Sequence, residues 1–176
     1  MSANTTTTAP TTTAPTAAAP ASTAPTAAAS TAPPADARSL GLAHYAARGV
    51  LELVLTQHGT TFQQQIALRA AVTAEAPQTP EELVAQVRGS LKADPAEIRA
   101  TLDELQAREL LVEDGTHLRP TDGGRELLAT LAAATAPVSA RVWGGIPPED
   151  LAAAGRVLAL VTERANAEFA ALTASS

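Results

Sequence analysis

From Leu40 onward, apolar positions recur along the chain with helical spacing. Leu42, Tyr45, Val50, Leu53 and Val54 fall on one stripe, broadened by Leu51 and Leu55, which predicts a first helix over about residues 40–57. It stops at His58-Gly59, where glycine can adopt left-handed backbone. Thr60-Thr61-Phe62 opens a second helix over residues 63–74, with Ile66, Leu68, Ala71 and Val72 on its apolar side and Pro77 as its stop. The next two helices start alike. Thr79-Pro80-Glu81-Glu82 and Asp94-Pro95-Ala96-Glu97 each offer a capping oxygen, a proline at the first helical position and a carboxylate three residues after the cap. Only residues 89–93 separate them, so the pair reads as a helix-turn-helix. In the second member, Ile98, Leu102 and Leu105 share one face, while Arg99, Ala100 and Asp103 point away from it.

Leu110-Leu111-Val112 then reads as a short strand, Asp114-Gly115 as a tight hairpin turn, and residues 116–120 as the returning strand of a small wing. Thr121 starts a helix rich in leucine (Leu127, Leu128, Leu131) that is expected to end before Pro137. A loop holds Trp143-Gly144-Gly145, and Pro147-Pro148-Glu149-Asp150 opens a last helix to about residue 172, with Leu151, Val157, Leu158, Val161 and Phe169 on its stripe. The fold class predicted is all-α with a small two-stranded β wing. A winged helix-turn-helix core over about residues 62–128, best signalled over 79–128, is flanked by long N- and C-terminal helices at about 40–57 and 148–172.

Composition changes this picture mainly at the start of the chain. Residues 1–37 are almost entirely Thr, Ala, Pro and Ser, with no Leu, Ile, Val or aromatic residue. Such a stretch buries too little to offset the entropy of ordering it, so a disordered, partly polyproline-like tail is expected there, with one domain over residues 38–176. The stretch lacks the basic start and apolar run of a secretory signal. No run of about 18 apolar residues occurs, so no membrane span is expected. The absence of cysteine excludes disulfides, thiol catalysis and Cys-type zinc sites, and suits a cytoplasmic location. A net charge of −6 argues against indiscriminate coating of nucleic acid, so any DNA contact must come from a local patch. Eleven of the twelve basic residues are arginine; the one lysine is Lys92.

No catalytic constellation is apparent. Gly123-Gly124 and Gly144-Gly145 are isolated pairs, not a phosphate-cradling loop, and the few serines are not placed with a histidine in a recognisable pattern. His44, His58 and His117 lack metal-ligand spacing, and Glu81-Glu82 and Glu149-Asp150 stand where a helix dipole favours negative charge. Neither an enzyme nor a cofactor or metal site is expected.

Over about residues 40–172 the order of elements, with four local runs, resembles the MarR-type family of winged-helix regulators. His58-Gly59-Thr60-Thr61-Phe62-Gln63-Gln64-Gln65, continuing as Ile66-Ala67-Leu68-Arg69-Ala70, is similar to the lead into that family's second helix. Leu102-Asp103-Glu104-Leu105-Gln106-Ala107-Arg108-Glu109-Leu110-Leu111 is similar to the end of its recognition helix and first wing strand. Leu118-Arg119-Pro120-Thr121-Asp122-Gly123-Gly124-Arg125-Glu126-Leu127-Leu128 resembles its wing-to-helix junction, and Pro148-Glu149-Asp150-Leu151 the opening of its last helix. Two departures stand out. Glu109 occupies the place after the recognition helix where the family usually has glycine, and the wing tip, residues 113–117, is short and acidic, which argues against insertion into the minor groove.

The resemblance implies a DNA-binding transcriptional regulator of the repressor kind, a homodimer joined through its flanking helices, with helix 94–109 in the major groove. Arg99 is then the side chain suited to a bidentate contact with guanine, while Ala96 and Ala100 allow close approach and contact with thymine methyls. Glu97 is expected to cap its own helix. Arg88, Lys92, Arg119, Arg125 and His117 are the phosphate candidates, with the N-terminus of the helix starting near Thr79. About four cations per protomer, eight in a dimer, give a log–log salt slope of about −7. Asp103, Glu104, Glu109, Glu113 and Asp114 lie close by and oppose them. The resemblance also implies a small phenolic or anionic effector between the dimer helices and the winged-helix lobe, with His44, Tyr45, Arg48, His58, Phe62 and Trp143 as candidates. The alternative is a degenerate winged helix used for protein contacts without specific DNA binding.

Overall fold

The computed structural model describes residues 34–175; the expected tail, as far as residue 33, lies outside them. Helix α1 (Ala37–Gln57) opens on Asp36, which accepts the Ser39 amide at 2.8 Å while the Ser39 hydroxyl accepts the Asp36 amide at 2.8 Å. This reciprocal cap starts the helix before the apolar stripe begins, so residue 37, expected in the tail, is helical. At the other end Gly59 takes φ +60°, and the amides of Gly59 and Thr60 bond back to the carbonyls of Thr56 and Leu55 at 3.0 and 3.1 Å. That is a Schellman ending with glycine where left-handed backbone is needed.

Helices α2 (Phe62–Thr73), α3 (Pro80–Leu91) and α4 (Pro95–Ala107) pack on one another. Leu68, Leu83, Val87, Ile98 and Leu105 are buried between them, with Leu111 and Leu118 of the wing closing the cluster. The caps of α2 and α3 are reciprocal, Thr61 with Gln64 and Thr79 with Glu82. The cap of α4 is simpler: Asp94 accepts the Ala96 amide at 2.7 Å, and Glu97 makes no capping bond. The expectation for Glu97 is thereby corrected, because Asp94 reaches the nearer amide and leaves no reciprocal box to complete.

The wing is an antiparallel hairpin of β1 (Leu111–Asp114) and β2 (His117–Pro120). Asp114 pairs with His117, so the two-residue loop is Gly115-Thr116, one step later than the expected Asp114-Gly115. Gly115 has φ +64° and Thr116 does not share it, the pattern of a turn with glycine at its first central position. A third strand is reduced to one bridge: the Leu118 amide donates to the Gln78 carbonyl at 2.8 Å, tying the hairpin to the chain ahead of α3.

Helix α5 (Asp122–Trp143) begins at Thr121 and continues through Pro137, where the sequence pattern expected a stop. Proline removes one amide from the ladder, and the Thr135 hydroxyl bonds the Leu131 and Ala132 carbonyls just ahead of it. Val138 and Val142 beyond the proline face a cleft shared with Val50, Leu51 and Val54 of α1, so packing carries the helix past its local breaker. Helix α6 (Pro148–Ala174) has no buried residue, and Val157, Leu158, Leu160 and Val161 on it are exposed.

Candidate nucleic-acid interface

Helix α4 buries Ile98, Leu102 and Leu105 at 2% exposure or less, and this fixes its rotation. The opposite positions Ala96, Arg99, Ala100 and Asp103 are all exposed. The Arg99 side chain makes no hydrogen bond or ion pair among the described residues, and neither do those of Arg88 on α3 and Arg125 on α5. These three guanidinium groups are unengaged.

The other expected phosphate contacts are committed to the protein itself. Arg119 pairs with Asp114 across the wing at 3.0 Å. His117 is half-buried, with its Nδ1 3.2 Å from the Thr116 hydroxyl. Lys92 donates to the Gly89 carbonyl at 2.6 Å and lies 5.6 Å from the centre of the Phe169 ring. Arg119 and Arg125 do come together, around a cavity of about 210 Å³ bounded by β2 and the Ala74-to-Gln78 segment.

The acidic side chains divide the same way. Glu104 accepts from the Gln64 side-chain amide at 2.8 Å, Glu113 from Gln106 at 3.3 Å, and Asp114 is held by Arg119. Asp103 and Glu109 have no side-chain partner among the described residues. Gln64 also accepts from Arg108 at 2.9 Å, so one buried glutamine ties the start of α2 to the end of α4. The Thr-x-x-Gln spacing of the α2 cap was visible in the sequence; its use as a cross-helix anchor was not. Glu82 closes the cap of its own helix through Thr79. Its carboxyl is held below its ordinary 4.5 first by the Thr79 amide, then by the Thr79 hydroxyl, and to a lesser degree by the charge of His117.

The six expected effector residues do not form one pocket. His44 and Tyr45 meet edge-to-face on exposed α1, with ring centres 5.4 Å apart. Arg48 lies over the Phe62 ring at 4.8 Å and bonds Glu52 at 2.8 Å. His58 caps the end of α1. Trp143 alone of the six lines the cleft of about 310 Å³ between α1, α2 and α5, with Val50, Leu51, Val54, Gln65 and Arg69. The rotation of α1 turns His44 and Tyr45 to solvent; the cleft is built from the apolar face of α1, the polar i,i+4 pair Gln65–Arg69 of α2 and Val138, Val142 and Trp143 of α5. Among the described residues no cluster of His, Cys, Asp or Glu could hold a metal ion, and no helix is long and apolar enough to cross a membrane.

No family model matches the chain, and no curated protein matches it. Solved structures do. MarR of Staphylococcus aureus, in complex with salicylate and kanamycin, is 18% identical, with 74% of this chain and 90% of that one covered at a TM-score of 0.63. A MarR family protein of Mycobacterium tuberculosis, in complex with DNA, is 19% identical over 73% of this chain and 98% of that one, at a TM-score of 0.58. CouR of Rhodococcus jostii RHA1, bound to p-coumaroyl-CoA, is 21% identical over 70% of this chain and 88% of that one, at a TM-score of 0.59. At such identities the likeness shows the fold: this chain carries the MarR-type winged helix.

Proposed function

We propose that the protein is a DNA-binding transcriptional regulator that acts as a homodimer and places α4 in the major groove. The observation that carries this reading is Arg99, an unpaired guanidinium on the exposed face of the second helix of a helix-turn-helix, flanked by the small residues Ala96 and Ala100. A planar donor fork with small neighbours is the arrangement that lets a helix approach base edges and bond guanine through two donors. Arg88 and Arg125 supply backbone contacts. Two unengaged backbone cations per protomer, four in a dimer, give a log–log salt slope of about −4, shallower than a count of charges along the sequence suggests.

The homodimer is supported by apolar surface that a monomer leaves wet. Leu42, Tyr45 and Leu53 of α1 are 63–72% exposed, and Val157, Leu158, Val161 and Phe169 of the α6 stripe are exposed too. The α1–α2–α5 cleft, apolar with Arg69 and Gln65 at its polar side, suits a small anionic or phenolic effector. The salicylate-bound and p-coumaroyl-CoA-bound proteins of the same fold lend weight to such a ligand. The role assigned is regulatory, not catalytic.

The test is a gel shift on the DNA upstream of the protein's own gene, with wild type and Arg99→Ala. Specific binding by wild type, weakened by about 1–3 kcal/mol in the variant, is expected. No specific shift at moderate salt sinks the DNA reading and favours a winged helix that serves protein contacts.

A further inference from the structure

Lys92 is the only lysine in the chain, and it stands in the turn of the helix-turn-helix with left-handed backbone at φ 54°. Its ammonium bonds the Gly89 carbonyl at 2.6 Å, one of the acceptors that the end of α3 leaves without a helical partner. The Phe169 ring, from the last turns of α6, lies 5.6 Å from the same ammonium. Helix α6 buries none of its residues, so this is a point where an otherwise exposed helix reaches the helix-turn-helix.

We propose that Phe169 holds the Lys92 ammonium on the end of α3 and away from the DNA backbone, so that the position of α6 sets how many cations the reading head presents. The proposal rests on the DNA-binding reading above. An ammonium is a point charge on a flexible stem, and a phosphate competes for it with the carbonyl and the ring. An exposed contact between a cation and a ring is worth roughly a two- to five-fold change in an equilibrium. DNA and the seated end of α6 therefore oppose each other through one side chain, and by linkage each weakens the other to the same extent. A partner or effector that lifts the end of α6 tightens DNA binding, and one that clamps it loosens binding.

A single lysine makes the contact directly measurable. With ¹³C-lysine labelling, the one lysine spin system of wild type should show its Cε protons shifted upfield by the ring. The shift should vanish in Phe169→Leu and persist in Phe169→Tyr, which keeps a ring and serves as the folding control. On the upstream DNA, Phe169→Leu should bind about two- to five-fold tighter per protomer, and its salt slope should steepen by about two for the dimer. In a Lys92→Ala background the same substitution should change neither quantity. An unshifted lysine in wild type, or an equal effect of Phe169→Leu with and without Lys92, overturns the proposal and leaves the DNA reading standing. Wild type that shows the ring shift but binds no DNA specifically overturns both.

Discussion

Glu109 sits at φ 57°, in left-handed backbone just past the end of α4. Its amide bonds the Gln106 carbonyl at 2.8 Å and the Leu110 amide bonds that of Leu105 at 2.9 Å, the pair of bonds that ends a helix in a Schellman turn. The position wants glycine, and a side chain there costs roughly 1–2 kcal/mol, offset by about 0.5–1 kcal/mol for the extra freedom glycine has when unfolded. Glu109→Gly should therefore stabilise the protein by about 0.5–1 kcal/mol, read as a higher urea midpoint at unchanged slope. It also removes an unpaired carboxylate near α4, so DNA affinity should rise rather than fall. Glu82 gives a pH dependence with a definite sign. Its folded pKa lies below the ordinary 4.5, so its contribution is fully present above 4.5 and is lost as pH falls through the lower folded value. The urea midpoint of wild type should exceed that of Glu82→Gln above pH 4.5, and the gap should narrow on acidification below it. A gap that widens instead would mean the carboxylate is not held by Thr79 as the geometry indicates.

At the scale of elements, the junction of wing and α5 depends on one glycine of a pair. A Cβ on Gly124 would press into the Leu110 carbonyl oxygen and stand 3.2 Å from Leu68 Cδ1. The Thr121 hydroxyl bonds the carbonyls of Glu109 and Leu110 at 2.8 and 3.3 Å, and the Thr121 amide bonds Leu110 at 3.1 Å. The first turn of α5 is thus pinned to the chain leaving α4, with no room between them. Gly124→Ala should cost about 1–3 kcal/mol through backbone displacement. Gly123→Ala, whose added carbon meets only the Thr121 hydroxyl at 3.7 Å, should be neutral or stabilising by up to about 1 kcal/mol through helix propensity. Thermal melts of the two variants side by side separate packing from propensity; equal effects would remove the packing argument.

At the scale of the whole molecule, the apolar residues that α1 and α6 expose are the surface the proposed homodimer would cover. Leu158 on α6 is 43% exposed, so Leu158→Glu should leave the winged-helix core intact in a monomer. In a dimer built on α6 it buries a charge, and sedimentation should then show dissociation with little loss of helix signal. Specific DNA binding should fall with it, because a single α4 with one unpaired arginine offers too few contacts for a full operator. Unchanged mass on that substitution would place the self-contact elsewhere.

Much of the architecture can be read locally, because it is written in local chemistry. Thr79 with Pro80 and Glu82, Asp94 with Pro95, and Gly59 at a helix end act over three or four residues, and the structure has those helices where the pattern places them. Ile98, Leu102 and Leu105 likewise fix which way Arg99 faces, since helical period alone decides it. Tertiary packing decided the rest, and for one physical reason: it joins groups far apart in the chain. Contact with α1 carries α5 through Pro137, the rotation of α1 keeps His44 and Tyr45 out of the cleft that Trp143 lines, and the wing register engages Arg119 while leaving Arg125 open. The same long-range packing sets Phe169 beside Lys92, so which cations stay free on the helix-turn-helix is a property of the folded chain and not of its count of basic residues.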